Sequence, residues 1–584
     1  MRWLSLEVYS MNLIFGDFEV YRYDWLCVFM DVMNREEIVI VNDVDKLRKF
    51  YNEHKNDIYV FFNGRQYDQY IMKSLLCGLD PKACNDYIIV EKRKGWEFSD
   101  LFKMVNINIF DVMTTFHGLK TLEGFMGNNI EETGVDFNID RKLTPAEIAE
   151  TIKYCRHDVE QTIEVFLRRK EEFDAHIGML KAFGLPMSFV SKTKVQLSAA
   201  ALGAIKRARD DEFDLTFPHT MQIKRYMDIQ LWYLNPDNRY ERDEDGNVVE
   251  KKSYDTVVAG VPHTFAWGGL HGARENYIEE GQFLNVDVAS YYPSLMIEYG
   301  FLSRNVSDPK KYTEIYKQRL KYKAEKNPLQ APLKIVLNGT YGAMKDRYNP
   351  LYDPRQANNV CVGGQLLLLD LIEKLEDYCD IIQSNTDGIL VKLRDNREQV
   401  ESICREWMQR TRMVLEFDEY VKVIQRDVNN YIIVAADGSY KSKGSVVKKN
   451  HELDNDTTIL NEAVINYFVK AMPVELTING CTDLIKFQRI VKVSSKYDYA
   501  MHGMQVSYNK TFRVFASTDP NDGGIFKVKN GKNPEKFANT PEHCFIMNGN
   551  INGVSIPDKL DRQFYIDMAN RHVQQFLGTL KKGK

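Results

Sequence analysis

The segment Asp287–Ser294 constrains the fold more than any other part of this chain of 584 residues. It closes an apolar stretch at 283–289, which predicts a buried strand, and Pro293 indicates a turn directly after it. A strand that ends in this way places the Asp287 carboxylate at the edge of a sheet, and the carbonyl of Val288 could add a second oxygen ligand for a metal ion. The simpler alternative is a buried strand that ends in a turn and has no further role.

A basic stretch follows, in which two helices are predicted near 309–327 and 331–346. It contains ten Lys and Arg residues against three acids between positions 310 and 347. Helical spacing puts Arg319 and Lys323 on one face, and it does the same for a second set on the next helix; that set is Lys334, Asn338 and Tyr341. Such a surface suits a polyphosphate, although a solvated helix face remains the alternative for Arg319 and Lys323.

Asp387 lies in the polar segment 383–388, and the short apolar run 388–393 that follows Asp387 predicts a strand. A hairpin is predicted at Asp437-Gly438, with Tyr431 before it and two lysines, Lys441 and Lys443, after it. These lysines suit phosphate groups, whereas Tyr431 could equally be a core residue.

A second set of carboxylates lies in the first third of the chain. Asp17 and Glu19 share one face of a predicted strand in a β-meander over 13–39. Asp68 follows a predicted strand at 57–62 and a turn at Asn63-Gly64, and the helical stretch 145–170, capped by Thr144, carries Tyr154 and Asp158. Carboxylates that converge from several elements can hold two Mg²⁺ or Mn²⁺ ions, although each pair alone is more often solvated.

The downstream segments resemble the motifs of family B DNA polymerases. Residues 287–294 resemble D-x-x-S-L-Y-P-S with Tyr291 in the Leu position, and 334–342 resemble K-x-x-x-N-S-x-Y-G with Gly339 in place of Ser. Residues 383–388 resemble Y-x-D-T-D-S, with Asn385 in place of the first Asp. The resemblance implies roles that fall on these positions: metal binding by Asp287, Val288 and Asp387, sugar selection by Tyr292, and nucleotide binding by Arg319, Lys323, Lys334, Asn338 and Tyr341.

The upstream set, in its order D-x-E, N-x-x-x-Y-D and Y-x-x-x-D, resembles DEDD-type proofreading exonucleases. That resemblance implies that the four carboxylates bind metal and that Tyr154 holds the attacking water. Residues 118–122 resemble a segment that contacts single-stranded DNA there, with Leu119 retained and Gly118 replacing a hydroxyl residue. Trp267-Gly-Gly resembles a Y-x-G-G segment, and Asn429-Asn-Tyr431 resembles the K-x-Y segment that, with Lys441 and Lys443, grips the primer.

The family's fold implies an α/β multi-domain chain with a ribonuclease H-like exonuclease domain and a right-hand polymerase. The regions expected are an exonuclease domain at 1–180, a linker and first part of the palm at 181–304, fingers at 305–348, palm at 349–450 and thumb at 451–584. The implied activity is template-directed DNA synthesis from dNTPs with 3′→5′ proofreading, with two Mg²⁺ per active site (Mn²⁺ possible). Implied partners are primer-template DNA and a processivity factor, helicase or single-strand-binding protein, with no membrane.

The motifs are closely spaced, with 47 residues from Asp287 to Lys334 and 53 from there to Asp387. This leaves little room for the large insertions of protein-primed phage polymerases. We therefore expect a small bacteriophage-like enzyme in the cytoplasm of a bacterial host, with weak strand displacement.

The composition of the chain argues against several other classes of protein. Nine scattered Cys residues without C-x-x-C spacing argue against a zinc site and fit reduced thiols. No apolar run approaches the ~18 residues of a membrane span, and Met1–Phe15 lacks a signal-peptide pattern. The net charge of −5 argues against a passive DNA-coating protein. A nuclease whose second half only binds DNA, suggested by Asn385, and a non-catalytic scaffold remain open; a reverse transcriptase would usually show adjacent paired Asp residues.

Overall fold

The computed structural model describes residues 12–113, 117–244 and 248–580. The chain divides into two compact units. The first comprises Met1–Lys192, Asn450–Thr458 and Thr482–Phe564, and the second comprises Thr193–Lys449, Ile459–Cys481 and Tyr565–Lys584. Residues 1–11, part of the segment in which we expect no signal peptide, lie outside the described residues.

The first unit begins with a five-stranded sheet whose order is β3-β2-β1-β4-β5. Its strands are β1 (Leu13–Val20), β2 (Trp25–Asp31), β3 (Glu36–Val41), β4 (Ile58–Phe61) and β5 (Asn108–Asp111). Its helices are α1 (Val44–His54), α2 (Asp68–Leu76), α3 (Pro81–Ile89), α4 (Leu119–Phe125), α5 (Pro145–Arg168) and α6 (Lys170–Ala182). The first three strands are antiparallel, whereas β1, β4 and β5 run parallel, which is the ribonuclease H-like arrangement.

Local signals account for most of this sheet. The predicted meander is confirmed, and its second turn contains Arg35 with a positive φ of 56°. Thr144 caps α5 through a capping box with Glu147, as its position at the helix start predicted. Asn63 takes up the left-handed conformation, at φ 67°, in the turn after β4.

The second unit is built on a nine-stranded sheet of order β16-β15-β14-β11-β13-β12-β10-β9-β8, and β6 and β7 form a separate two-stranded sheet. Its helices are α7 (Lys194–Ala201), α8 (Met227–Leu234), α9 (Tyr291–Glu298), α10 (Pro309–Ala324), α11 (Gln330–Lys345), α12 (Pro354–Leu375), α13 (Arg397–Thr411), α14 (Thr458–Lys470), α15 (Val474–Gly480) and α16 (Arg562–Phe576). Its strands are β6 (Tyr240–Arg242), β7 (Val248–Lys251), β8 (Ser253–Val258), β9 (Val261–Ala266), β10 (Gly269–Ala273), β11 (Tyr277–Val288), β12 (Cys379–Ser384), β13 (Gly388–Leu393), β14 (Leu415–Asp427), β15 (Asn430–Val434) and β16 (Tyr440–Lys443).

Helix α12 forms the core beneath this sheet, since almost all of its side chains are buried. Even Asp370 on α12 is fully buried, and it pairs with Arg410 at 2.8 Å. The predicted strand at 283–289 is longer than expected, because β11 begins at Tyr277. Its first half contains Glu279 and Glu280, which interrupt the apolar pattern but still pair with β14 up to a bulge.

Residues 482–564 of the first unit form two further sheets. One has three strands, β17-β20-β23, and the other has four, β19-β18-β21-β22. The strands are β17 (Arg489–Lys492), β18 (Tyr499–His502), β19 (Gln505–Ser507), β20 (Thr511–Ala516), β21 (Ile525–Val528), β22 (Glu535–Lys536) and β23 (Cys544–Ile546).

The fold class is therefore α/β and multi-domain, as predicted. The region 451–584, expected to be one thumb, contributes to both compact units. The five functional regions remain a prediction, because compactness does not identify fingers, palm or thumb. Within the described residues, none of the helices is both long enough and apolar enough to cross a membrane.

Candidate active sites

In the second unit, Asp287 lies near the end of β11, directly opposite Gly388 at the start of β13. Its carboxylate rests on the glycine, because a Cβ atom added to Gly388 would lie 1.8 Å from Asp287 Oδ1. The amide of Val288 donates to the carbonyl of Asp387 at 2.7 Å. These contacts fix the Asp287 strand end and the segment that carries Asp387 side by side.

A cavity of about 480 Å³ opens at this strand edge. It is lined by residues of both motifs and of the later hairpin: Asn285, Asp287, Gln383, Asn385, Asp387, Leu390, Tyr431, Ile433, Lys441, Ser442, Lys443 and Lys449. The structure thus brings together residues that lie more than 150 positions apart in the chain. The two carboxylates and the lysines predicted to meet phosphates share one cavity.

Burial, followed by repulsion from the neighbouring Asp387 carboxylate, raises the pKa of Asp287 to about 6. A hydrogen bond from Asn285, at 2.6 Å, and the charge of Lys441 oppose this shift. A bound divalent cation would relieve the same repulsion. Among the described residues, the side-chain oxygens of Gln383 and Asn385 are buried without a hydrogen-bond partner, so the cavity offers neutral oxygens beside its two carboxylates.

Asn385, which replaces the first Asp of the motif, takes part in a turn through its backbone. Its backbone amide donates to the carbonyl of Gly388 at 2.8 Å and closes the turn between β12 and β13. The turn therefore forms without an acidic side chain at this position. The site has one charge less than the motif it resembles, but its amide oxygen is available as an acceptor.

Helices α10 and α11 bring part of the basic surface to the same strand end. Arg319 donates to the Ser290 hydroxyl at 2.9 Å, and Lys323 lies 3.6 Å from Glu416 on β14. The ring of Tyr341 lies 4.4 Å from that of Tyr292, centroid to centroid. Two further predicted nucleotide ligands, Lys334 and Asn338, lie on the exposed face of α11.

Three residues that differ from the motifs have a packing role. A Cβ atom at Gly339 would lie 2.7 Å from Ser198 Oγ on α7, so the glycine permits close approach of α11 and α7. The Tyr291 hydroxyl is buried and donates to the carbonyl of Gly364 at 2.6 Å, which gives the larger side chain a structural role. Trp267 is also buried, and it packs edge-on against Tyr233.

In the first unit, the four upstream carboxylates come from three elements. Asp17 and Glu19 lie on β1, Asp68 is the first residue of α2, and Asp158 lies on α5, one turn after Tyr154. Glu19, Asp68 and Asp158 are buried, whereas Asp17 is partly exposed. Helix α5 contacts β1 through the Cys155 thiol, which lies 3.4 Å from the backbone oxygen of Asp17.

The carboxylates of this cluster raise one another's pKa. Burial raises the pKa of Asp17 to about 8, with Asp158 as the next cause, and it raises the pKa of Asp158 to about 6. Burial, followed by repulsion from Asp17, also raises the pKa values of Glu19 and Asp68. Asp68 Oδ1 is buried without a hydrogen-bond partner among the described residues. Such a set of hard oxygen donors fits Mg²⁺ or Mn²⁺.

Cys155 lies close enough to Asp17 and Glu19 to join a metal site by distance alone, since one ligand atom of each lies within 4.8 Å of the others. Burial raises the pKa of its thiol well above the usual value, however, and the thiol donates to a backbone oxygen. The neutral thiol is therefore a packing group rather than a ligand.

Sequence reasoning missed a cationic group beside these carboxylates. Lys120 donates to Asp158 and, at 3.1 Å, to the fully buried Glu123. Its Nζ also lies 4.6 Å from the centre of the Tyr154 ring, and His157 lies 3.5 Å from the other Glu123 oxygen. Lys120 lies in the 118–122 segment, whose resemblance to a DNA-contacting segment could have pointed to it. Glu123 is a single acid on a short helix, and such a residue forms no recognisable pattern.

Asp111 positions the loop next to this site, and the predicted DNA-contact segment lies on a neighbouring helix. Asp111 accepts hydrogen bonds from the backbone amides of Asn63, Arg65 and Met113, at 2.9 to 3.0 Å. It thereby fixes the loop that leads into Asp68. Leu119, the predicted DNA contact, begins α4, and Gly118 precedes that helix as its cap residue.

No protein-family model matches this chain. Over 220 residues, 37% of the chain, it is 26% identical to DNA polymerase 1 of Saccharolobus solfataricus, and this match spans only 22% of that protein. A stretch of 75 residues, 13% of the chain, is 41% identical to "Uncharacterized mitochondrial protein ymf34" of Marchantia polymorpha and covers 96% of it. The chain belongs to the same family as that short protein, whose name gives no activity.

Among solved structures, the family B DNA polymerase from the hyperthermophilic archaeon Pyrobaculum calidifontis aligns with 99% of this chain and 79% of its own. The sequences are 14% identical and the TM-score is 0.43. In sequence, the chain is thus similar to archaeal DNA polymerases over about a third of its length.

Proposed function

We propose that this chain is a DNA-directed DNA polymerase of the family B type with its own 3′→5′ exonuclease. The observation that carries the proposal is the presence of two separate sets of carboxylates, one in each compact unit. Asp287 is half-buried and Asp387 is exposed in the second unit, whereas most of the first unit's set is buried. In both sets, burial and a neighbouring carboxylate raise the pKa of an aspartate, Asp287 in one and Asp17 in the other. A bound divalent cation would offset this effect, because it stabilises the ionised carboxylates. The similarity to archaeal DNA polymerases supports the same conclusion.

In the synthetic site, Asp287, Asp387 and the carbonyl of Val288 would hold two Mg²⁺ ions. When bound, these ions lower the pKa of the primer hydroxyl and neutralise the triphosphate. Arg319, Lys323 and Lys334 would bind the triphosphate oxygens, and Tyr292 with Tyr341 would form the wall against which the sugar and base pack. Lys441 and Lys443 would hold the primer phosphates beside the cavity.

In the nuclease site, Asp17, Glu19, Asp68 and Asp158 would hold two further ions, whose chemistry when bound is to generate hydroxide and stabilise the leaving 3′ oxygen. Tyr154 would orient the attacking water, since its hydroxyl stays protonated because burial and Asp158 raise its pKa. Lys120 would balance the negative charge between substrate binding events.

Paired substitutions separate the two activities. Asp287→Asn or Asp387→Asn should abolish primer extension and leave degradation of a labelled primer intact. Conversely, Asp17→Asn with Glu19→Gln should abolish degradation and spare extension. Asp380→Asn, which changes an acid on β12 that pairs with Arg394 at the surface, is the matched control. Loss of both activities with either pair, in folded protein, would contradict the two-site proposal.

Asn385 favours a second candidate, a nuclease whose polymerase half only binds DNA. Extension by one chain-terminating dideoxynucleotide, followed by gel analysis, distinguishes the two. A primer lengthened by one nucleotide supports synthesis, whereas a primer that is only bound or shortened supports the alternative. The buried, unpartnered Asn385 oxygen supports a working site, because it is positioned to accept a hydrogen bond or a metal.

The close spacing of the motifs supports a compact replicative enzyme of a small, phage-like genome that depends on partner proteins for processivity. Primer extension into a duplex block, without other proteins, tests this part. Short products that stop at the block are expected. Long products would show strand displacement and remove the need for a helicase partner.

A further inference from the structure

The four-stranded sheet β19-β18-β21-β22 presents one face away from the core. Side chains alternate along a strand, so the pairing register assigns every residue to a face. Ala500 and Ile525 lie on the inner face, in a cluster with Phe512 and Val514. The outer face therefore carries a cross-strand row of Val506, Met501, Phe526 and Lys536, and beside it the pair Tyr499 and Val528. Tyr508 directly follows β19.

Two side chains of this outer face are largely exposed, several others are half-buried, and Val528 is buried. Tyr508 is 74% exposed and Val506 is 52% exposed, whereas Tyr499 and Phe526 are half-buried. The Tyr508 and Tyr499 rings lie 6.0 Å apart, centroid to centroid. Exposed side chains that lie beside half-buried aromatic ones form a contiguous patch, and such a patch is typical of an interaction surface.

Lysines gather at the Tyr499 end of the face. Asp498 joins the loops there: its amide donates to Val528, its carbonyl accepts from Lys510 Nζ at 2.8 Å, and its carboxylate accepts from the amide of Asn530 at 2.7 Å. Lys529 and Lys532 are exposed on the same loop as Asn530. Apart from the buried Arg513, residues 496–536 contain six lysines against four acids, a local excess of two positive charges in a chain of net charge −5.

We propose that this face binds single-stranded nucleic acid. Unpaired bases would stack on Tyr508, Tyr499 and Phe526, while the phosphates would meet the lysines at the end of the sheet. A duplex hides the faces of its bases and gains nothing from an aromatic surface, so a single strand is the better match. The face contains none of the carboxylates proposed for synthesis or degradation, and binding here is independent of both activities.

Binding of a fluorescent oligothymidylate of about 16 nucleotides to the full chain, measured by anisotropy in EDTA, tests the proposal. Tyr508→Ala should weaken binding by about fivefold or more, whereas Tyr508→Phe, which keeps the ring, should leave it unchanged. Tyr378→Ala, at an exposed tyrosine of the second unit, is the control. Lys529→Ala with Lys532→Ala should reduce the salt dependence of binding by about 1.4 in log–log slope.

Photo-crosslinking with 5-iododeoxyuridine oligonucleotides locates the contact. Crosslinked peptides from 497–510 and 525–528 are expected. Crosslinks confined to other segments, or equal affinity of Tyr508→Ala and the native chain, would overturn the proposal. So would a dimer in sedimentation that Val506→Glu dissolves, because the face would then join two copies of the chain. A chain that binds here but neither extends nor degrades DNA would refute only the proposed function.

Discussion

Among individual residues, Lys120 shows how this protein tolerates acids in its interior. Burial alone would lower the pKa of a lysine, but the charges of Asp158 and Glu123 outweigh burial and raise it. The side chain of Glu123 is fully buried, and Lys120 lies 3.1 Å from it. The lysine therefore compensates acids that water cannot reach.

Replacing Lys120 with Met should destabilise the first unit by about 3 kcal/mol, because Glu123 would lose its main cationic partner. Urea unfolding measures this loss. The double variant Lys120→Met with Glu123→Gln should recover part of it, since Glu123 then carries no charge while Asp158 still lacks its lysine partner. Equal stability of the single variant and the native chain would show that the pair carries no net energy.

Gly388 provides a second prediction at a single residue. In Gly388→Ala the new methyl group would occupy the place of Asp287 Oδ1, so the carboxylate must rotate away from its hydrogen bond with Asn285. The methyl group would also lie 3.2 Å from the backbone oxygen of Val286, so thermal stability should fall by about 1–2 kcal/mol. Primer extension should fall at least tenfold, whereas primer degradation should be unaffected. Unchanged extension would mean that the carboxylate has another productive position.

Between elements, the closest approach relevant to the basic surface joins α7 and α11. Gly339 lies against Ser198, whose hydroxyl donates to the carbonyl of Lys194 at 2.9 Å and is thereby held in place. The absence of a side chain at Gly339 sets the distance between the helices. Through it, the helix that carries Lys334 and Tyr341 is fixed to the rest of the second unit.

Gly339→Ala should destabilise the second unit by about 1–3 kcal/mol, despite the better helix propensity of alanine, because the methyl group overpacks the contact. Adding Ser198→Ala should restore stability, since the nearest atom left is then the residue 198 Cβ at an ordinary contact distance. A double-mutant cycle by chemical denaturation measures this coupling. Additive effects of the two substitutions would contradict the packing explanation.

For the molecule as a whole, Arg513 joins the first unit across almost 400 residues of chain. Its buried guanidinium donates to Gln488 and to four backbone carbonyls, those of Gly124, Asn128, Met547 and Gly549. Burial lowers its pKa to about 10, so it remains charged at neutral pH. Since Gly124 lies in α4, Arg513 connects the late β-strands with the helix that carries Lys120.

Arg513→Met should cost about 3–5 kcal/mol, because several buried carbonyls lose their donor at once. Exonuclease activity should then be lost at a lower temperature than primer extension, since only the first unit is weakened. Arg489→Met, at a half-buried arginine of the neighbouring strand that pairs with Asp456 at 2.6 Å, should cost less than about 1 kcal/mol. Equal costs would show that burial of Arg513 adds nothing.

The sequence was sufficient to predict the features that depend on neighbours along the chain. The β-meander, the Thr144 cap, the turn at Asn63 and the helices of the basic stretch all follow from periodicity and turn residues within a few positions. The ordered carboxylates were also recognisable, because each occupies a short motif at the end of a strand or on one helix face.

Other features depend on contacts between distant segments, which leave no local pattern. Three features belong to this group: the ion pair of Lys120 with Glu123, the contact of Gly388 with Asp287, and the packing of residues 482–564 into the first unit. They arise because buried charges and orphan carbonyls must find partners wherever packing brings the chain together. Since that requirement is met in space rather than along the sequence, folding assembled these contacts without a signal in the sequence.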